Sequence, residues 1–345
     1  MQKRVQARYS TKIVHRQVRE RNMNKWHLSC DVGGTNARFA VINPEKMTLE
    51  YIANFKSTDF YTFEHVIEHF LKEVEHTNLY ERFPTKSSLG VAGDVTGENI
   101  RFTNTQWTIN KLSVTRILQS RQVLFLNDFT ACAASIPLLE ESDVEKIGGG
   151  DAFPLKPISV LGPGTGFGIA TVAYIDKKKL VILPGEGGHA DFAPTDETQL
   201  LVRNYLASKY DRLSIERLLS GKGLLNIYEA LSNIRATPTK FHTAIDIGTS
   251  ALRGDDPICT ETFEIFFAIL GSVAGNQALT VGSQGGVYIA GGIAPQYLDL
   301  LKRSPFREKF IAKGRMAHYL RSIPTFVITH KNPGLIGAAS LLTND

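Results

Sequence analysis

Twice in this chain a short apolar run breaks at a cluster of glycines and resumes a few residues later. No other feature of the sequence constrains the fold as much. The first break is Asp31-Val-Gly-Gly-Thr-Asn36, between the runs Trp26–Cys30 and Arg38–Ile42. The second is Gly162–Gly168, between Ile158–Leu161 and Ile169–Tyr174. Runs this short, bounded by glycine, predict strands joined by tight turns. Phe63, Val66, Ile67, Phe70, Leu71 and Val74 recur at helical spacing and predict an amphipathic helix over Phe63–Glu75. Leu89–Ala92 and Val123–Leu126 read as buried strands, and Phe129–Ser135 opens a helix after the second. The turn-rich passage Gly148–Pro157 then separates the halves. Beyond it lie a helix over Phe263–Leu279, a strand over Gly286–Ala290 that runs into Gly291-Gly292, and a helical segment over Pro295–Leu301. Two units that each open with strand, glycine turn, strand predict an α/β protein of two lobes with a cleft between them.

Length and charge narrow the function. A chain of 345 residues suits two domains, and 43% hydrophobic with 21% charged residues is a globular composition. The net charge of +5 is misleading. Residues 1–25 hold eight basic side chains and one acid, so the other 320 residues carry 31 basic against 33 acidic groups. A nucleic-acid partner is therefore not expected, because the folded body has no basic excess to meet phosphates. The longest apolar stretch, Ile265–Gly275, has eleven residues, short of the ~20 that cross a bilayer, so no membrane association is expected. Cys30, Cys132 and Cys259 form no C-x-x-C pair, which favours reduced thiols and a cytoplasmic location. Residues 1–25 read as a flexible basic extension. An organelle-targeting presequence is the alternative for an Arg-rich, acid-poor start, and poor amphipathicity disfavours it.

Glycine turns invite phosphate, because backbone without Cβ can aim several N–H groups at one anion. The familiar loops fail. Gly221-Lys222 is followed by Gly223 and not by Ser or Thr, so there is no P-loop, and Gly162–Gly168 has the wrong spacing for a dinucleotide fingerprint. What remains is one glycine hairpin per half: Gly33, Gly34, Thr35 and Asn36 in the first, Gly164, Thr165 and Gly166 in the second. Facing each other, they could hold a triphosphate, with Asp31 supporting Mg²⁺ through water. Each could equally be an ordinary hairpin turn.

Seven blocks make the pattern specific: LSCDVGGTNARFAV (28–41), LNDFTACAASIP (126–137), VLGPGTGFGIA (160–170), LPGEGGHADFAPTDE (183–197), SIERLLSGKGLLNIYEAL (214–231), GGVYIAGGIAP (285–295) and NPGLIGAA (332–339). In order and spacing they resemble the glucokinases of the bacterial type. That resemblance implies the two-lobed actin-like ATPase (ribonuclease H-like) fold, with an active-site cleft between the lobes. It implies transfer of the γ-phosphoryl of ATP to the 6-hydroxyl of D-glucose, with Mg²⁺, in a homodimer. A small domain would comprise 26–138 plus 331–345, and a large domain 139–330. The Cys/His zinc motif of the other sugar-kinase branch is absent from the sequence.

The resemblance also implies roles for residues. Asp128 matches the general base, and Asn127 a sugar-hydroxyl partner, although Asp at a strand-to-helix turn can be merely a helix cap. Glu186, His189 and Glu216 match sugar-hydroxyl ligands, and so does Asn104. Glu216 has a bland alternative as a surface Glu in a helix's first turn. Gly291 and Gly292 match the turn that contacts adenosine. Polar side chains suit a pyranose, whose hydroxyls both donate and accept; a site of this kind rejects analogues that lack a hydroxyl. A non-catalytic sugar sensor or actin-like assembly protein on the same superfold is the rival from another class, and a kinase for another hexose is the rival enzyme.

Overall fold

The computed structural model describes residues 23–102, 107–177 and 179–342. Most of the basic N-terminal segment lies outside these residues, and so does Asn104. The strands of the first half are β1 (His27–Val32), β2 (Asn36–Ile42), β3 (Leu49–Lys56), β4 (Lys86–Val91), β5 (Asn99–Arg101), β6 (Thr108–Asn110) and β7 (Gln122–Asn127). Those of the second half are β8 (Val144–Gly148), β9 (Ile158–Pro163), β10 (Phe167–Tyr174), β11 (Leu180–Gly185), β12 (Val287–Ile289) and β13 (Thr325–Ile328).

These strands form two large sheets, ordered β3-β2-β1-β4-β7 and β11-β10-β9-β12-β13-β8, and β5 pairs with β6 in a small ribbon. The first five positions of the two sheets follow one plan. An antiparallel three-stranded meander is extended through its first strand by two parallel strands. The weak symmetry of two strand–turn–strand units is therefore a repeated topology. The strand β8, antiparallel to β13, is the one addition.

Sequence decides which strands are central. β1 (HLSCDV) is buried along almost its whole length, as a strand covered on both faces must be. β3 alternates exposed and covered positions at the sheet's edge. One core lies against the first sheet, with Trp26, Phe39, Phe63 and Phe70 fully enclosed. The helix Phe63–His76 supplies its apolar face, and Thr62 caps it by accepting a hydrogen bond from the His65 N–H. The larger core of the second half surrounds the helix Pro257–Val281. Asp256 caps its start, Pro257 occupies its first turn, and Gly282, at a φ of 68°, ends it in the left-handed region. By length and apolarity this helix could cross a bilayer, but most of it is buried within the protein.

Two helices join the halves. Asp128–Ala134 places Ala131 against the first sheet at Gly90 and buries Cys132 and Ala133 with Val160, Ala170 and Val172 of the second. Pro333–Ser340 returns the chain to the first sheet, where the Ser29 hydroxyl donates to the Leu335 carbonyl at 2.7 Å. A Cβ at Gly337 would lie 1.8 Å from the Ala131 carbonyl oxygen, so this crossing requires glycine.

Several expectations shift. β1 runs on through Asp31 to Val32, and contacts begin at Asn24, whose N–H donates to the Leu79 carbonyl. The helical segment over Pro295–Leu301 is two short helices, Ile293–Gln296 and Leu298–Arg303, broken at Tyr297. β3 and β13 lie in stretches where no glycine turn marks the sequence.

Candidate active site

A cleft of about 770 Å³ opens between the carboxyl ends of the central strands, and both glycine turns face into it. Every candidate substrate-, phosphate- or metal-binding residue named above except Asn104 lines it. Two regions far apart in sequence thus meet, and the site can be built up from each.

The first turn is tied by backbone. The Gly33 N–H donates to the Asn36 carbonyl at 2.9 Å, and the Ser57 N–H to the Thr35 carbonyl at 2.9 Å. The Ser57 hydroxyl donates to the Gly34 carbonyl, also at 2.9 Å. Thr35 and Asn36 are left exposed at the cleft. Asp31, near the end of β1, stands opposite Arg38 on β2, and Arg38 Nη1 donates to Asp31 Oδ2 at 3.2 Å. Burial pushes the Asp31 carboxyl above its usual range, and the arginine opposes this.

The second turn is bare. The Gly164 N–H donates to the Gly166 carbonyl at 2.8 Å, and Thr165 is exposed at the tip. Two contacts from the segment 216–221 hold it: the Gly221 N–H donates to the Gly164 carbonyl at 2.9 Å, and the Phe167 N–H donates to Glu216 Oε2 at 2.9 Å. Glu216 lies in a short 3₁₀ turn, Ile215–Arg217, and not on a surface helix. Gly291 follows β12 at a φ of 78°, and a Cβ there would lie 2.3 Å from the Pro163 carbonyl oxygen. The ends of β9 and β12 thus pack backbone to backbone. Gly164 and Gly292 face open space instead.

At the junction of β7 and the following helix, the cap is Asn127 and not Asp128. Asn127 Oδ1 accepts from the Phe129 N–H at 2.9 Å and the Thr130 N–H at 3.3 Å, and Asn127 lines the cleft. Asp128 is the first helical residue. Its carboxyl is pushed up to about 7, first by burial, then by the charges of Asp31 and Glu186, with the Phe129 N–H pulling the other way. A carboxyl that titrates near neutrality can accept a proton as a hydroxyl attacks.

Glu186 and His189 sit on the glycine loop after β11, each more than half exposed, with Oε2 and Nε2 3.9 Å apart. A Cβ at Gly188 would be 2.1 Å from the Phe167 carbonyl oxygen, so the loop lies flat on β10. Among the described residues no group of three or more His, Cys, Asp or Glu side chains could hold a metal by itself. A magnesium ion coordinated chiefly by water and phosphate needs only one or two carboxylates, and Asp31 beside the first turn fits that need. The cleft also takes in Arg38, Asp94, Arg101 and Phe102, which sequence reasoning did not single out. Arg38 alone had a signal, two residues after Asn36 on the same strand and so on the same face.

Carboxylates and two glycine turns converging between twinned sheets define a phosphoryl-transfer enzyme of the two-lobed actin-like ATPase fold. A glucokinase from an Antarctic psychrotroph superposes with a TM-score of 0.78 at 32% identity, covering 93% of this chain and 99% of that one. A ROK-family glucokinase from Streptomyces griseus, solved with glucose and AMPPNP, shares the fold at a TM-score of 0.63 and 17% identity, covering 92% of this chain and 98% of that one. The glucokinase of Colwellia psychrerythraea is 42% identical over 321 residues, 92% of this chain and 96% of its own. The glucokinase family profile matches residues 28–345, and the chain belongs to that family: ATP-dependent hexose kinases that convert D-glucose to glucose 6-phosphate.

Proposed function

We propose that Asp128 is the general base of this glucokinase, taking the proton of the glucose 6-hydroxyl as it attacks the γ-phosphoryl of ATP. The observation that carries the assignment is the position of Asp128, at the start of its helix in a cleft that both glycine turns face, where burial and the charges of Asp31 and Glu186 push its carboxyl up to about 7. Phosphoryl transfer asks chiefly for positioning and charge neutralisation, so one carboxylate at the nucleophile suffices. The Asn127 amide, Glu186, His189 and Glu216, with Asn104, pair with the sugar hydroxyls. The glycine turns, at Gly33, Gly34, Asn36, Gly164 and Gly166, and the hydroxyls of Thr35 and Thr165 hold phosphates. Gly291 and Gly292 give the adenosine a flat wall.

Asp31 would hold Mg²⁺ through water. That ion, when bound, neutralises charge on the phosphates and fixes their geometry. The small domain (26–138 with 331–345) and the large domain (139–330) close on the sugar and exclude water, so that the hydroxyl attacks and water does not. We place the enzyme in the cytoplasm as a homodimer at the first step of glycolysis; its three cysteines are free, buried thiols.

The test is Asp128→Ala. Turnover should vanish in a coupled ADP-release assay while calorimetry still detects glucose binding. Wild-type turnover in that variant would overturn the assignment. The same assay over a panel of hexoses separates glucose from mannose and from N-acetylated amino sugars.

A further inference from the structure

Glu216 touches the second glycine turn and lines the cleft. Its Oε2 accepts the Phe167 N–H at 2.9 Å, directly after the glycines of the second turn. A Cβ built on Gly166 would lie 2.5 Å from the same oxygen, so the carboxylate is packed against the turn itself. The other end of the turn is fixed by the same stretch of chain, through the Gly221 N–H to the Gly164 carbonyl, and the Ser220 hydroxyl closes that stretch on the Glu216 carbonyl. Among the described residues no protein donor is recorded on Oε1, and Glu216 lines the cleft.

We propose that Glu216 is a strut for the phosphate-holding turn as well as a sugar ligand: one oxygen positions Gly164-Thr165-Gly166 for the nucleotide while the other meets glucose. It is a positioning residue toward ATP. The proposal rests on the assignment of Glu216 to the sugar site only for its second half, since the bond to the turn is present without any ligand. A turn whose N–H groups must aim at one anion cannot afford several orientations, and a bond to a charged acceptor fixes it more firmly than one to a neutral partner.

Three variants test this. In Glu216→Ala the turn loses its strut, and AMPPNP binding with Mg²⁺, measured by calorimetry without glucose, should weaken about tenfold, the scale of one charge-assisted hydrogen bond. In Glu216→Gln the side-chain carbonyl can still accept the Phe167 N–H, now as a neutral acceptor, so AMPPNP binding should weaken less than in Glu216→Ala while KM for glucose rises. Gly166→Ala leaves residue 216 intact. The Gly166 backbone is not left-handed, so alanine fits the conformation, and the added methyl is relieved most cheaply by moving the Glu216 carboxylate, the nearest group to it. KM for glucose should therefore rise from a change made in the phosphate turn. In Gly166→Ala/Glu216→Ala that additional penalty should disappear. If Glu216→Ala bound AMPPNP like wild type, with glucose KM raised, the strut would be wrong and the sugar assignment would stand. If Glu216→Gln left glucose KM unchanged while Glu216→Ala still lost AMPPNP affinity, the strut would stand and the sugar assignment would fall. Should Glu216→Ala not fold, as judged by circular dichroism, Gly166→Ala decides alone: an unchanged glucose KM overturns the proposal.

Discussion

The two glycine turns occupy equivalent places in twinned sheets, and they are built differently. The turn between β1 and β2 is preceded by Asp31, which pairs with Arg38, and its carbonyls are tied by Ser57. The turn between β9 and β10 is preceded by Pro163, has no charged residue within it, and borrows Glu216 and Gly221 to hold its shape. One contributes charge and the other contributes space. Repeated topology does not imply a repeated lining: the first half brings Asp31, Arg38 and Asp128 to the cleft beside its turn, and the second brings a turn of bare backbone held by Glu216 from a separate segment.

The largest expected effect follows from the charged half. Asp128→Asn keeps the shape and removes the base, and kcat should fall by roughly 10³-fold, within the range for a lost general base. Stability should move the other way. The folded protein holds the Asp128 proton up to about pH 7, whereas an unfolded aspartate releases it near 4. The folded state thus binds more protons in between, and stability falls as pH rises through that window. Asparagine escapes this loss, so at pH 8 the variant should melt no lower than wild type. A variant that melted well below wild type there would show that Asp128 is needed for the fold.

The second effect is on pH dependence. The kcat/KM profile of wild type should fall on the acid side with an apparent midpoint near 7, where the base becomes protonated. Asp31 and Glu186 both raise that midpoint, Asp31 more strongly. Glu186→Gln should therefore move the acid limb to lower pH. A limb that stayed in place would detach Asp128 from the rate.

How much of this could be read in the sequence follows the same division. The charged half was legible because its groups are rare residue types at fixed places: an Asp ending a strand, an Asn-Asp between strand and helix. What remained hidden depended on contact across long separations. Nothing local shows that Glu216 will reach Phe167, 49 residues back, or that Ser57 will meet Gly34 across 23. The cap at Asn127 was missed for a different reason. Both Asn and Asp suit that position, and only the observed hydrogen bonds to Phe129 and Thr130 assign it. The edge strand β11 escaped because its exposed Val181 and Leu183 blur the alternation that marks a strand covered on one face only.

The third effect belongs to the half that contributes space, and two adjacent glycines sharpen it. Gly292→Ala places a methyl where the protein itself leaves room, so folding should be unaffected while KM for ATP rises about tenfold as the methyl meets the nucleotide. Gly291→Ala strains a residue at a φ of 78° and drives Cβ to 2.3 Å from the Pro163 carbonyl oxygen. That variant should lose melting temperature first. If both behaved alike in thermal melts, Gly292 would be structural too, and the idea of a bare nucleotide wall would fail.

The smallest effect tests whether the first turn is held as tightly as the second. Ser57→Ala removes one neutral hydroxyl donor, shared between the Gly34 and Thr35 carbonyls, and leaves the backbone bond from residue 57 to Thr35 in place. A neutral bond at a part-exposed site contributes about 1 kcal/mol, so KM for ATP should rise only about threefold to fivefold, with kcat and glucose KM unchanged. That split matters because the Ser57 bonds described here go only to the turn, whereas Glu216 also faces the sugar. A loss as large as that of Glu216→Ala would mean that the first turn depends on its strut as much as the second, and that charge alone does not account for what the first half contributes.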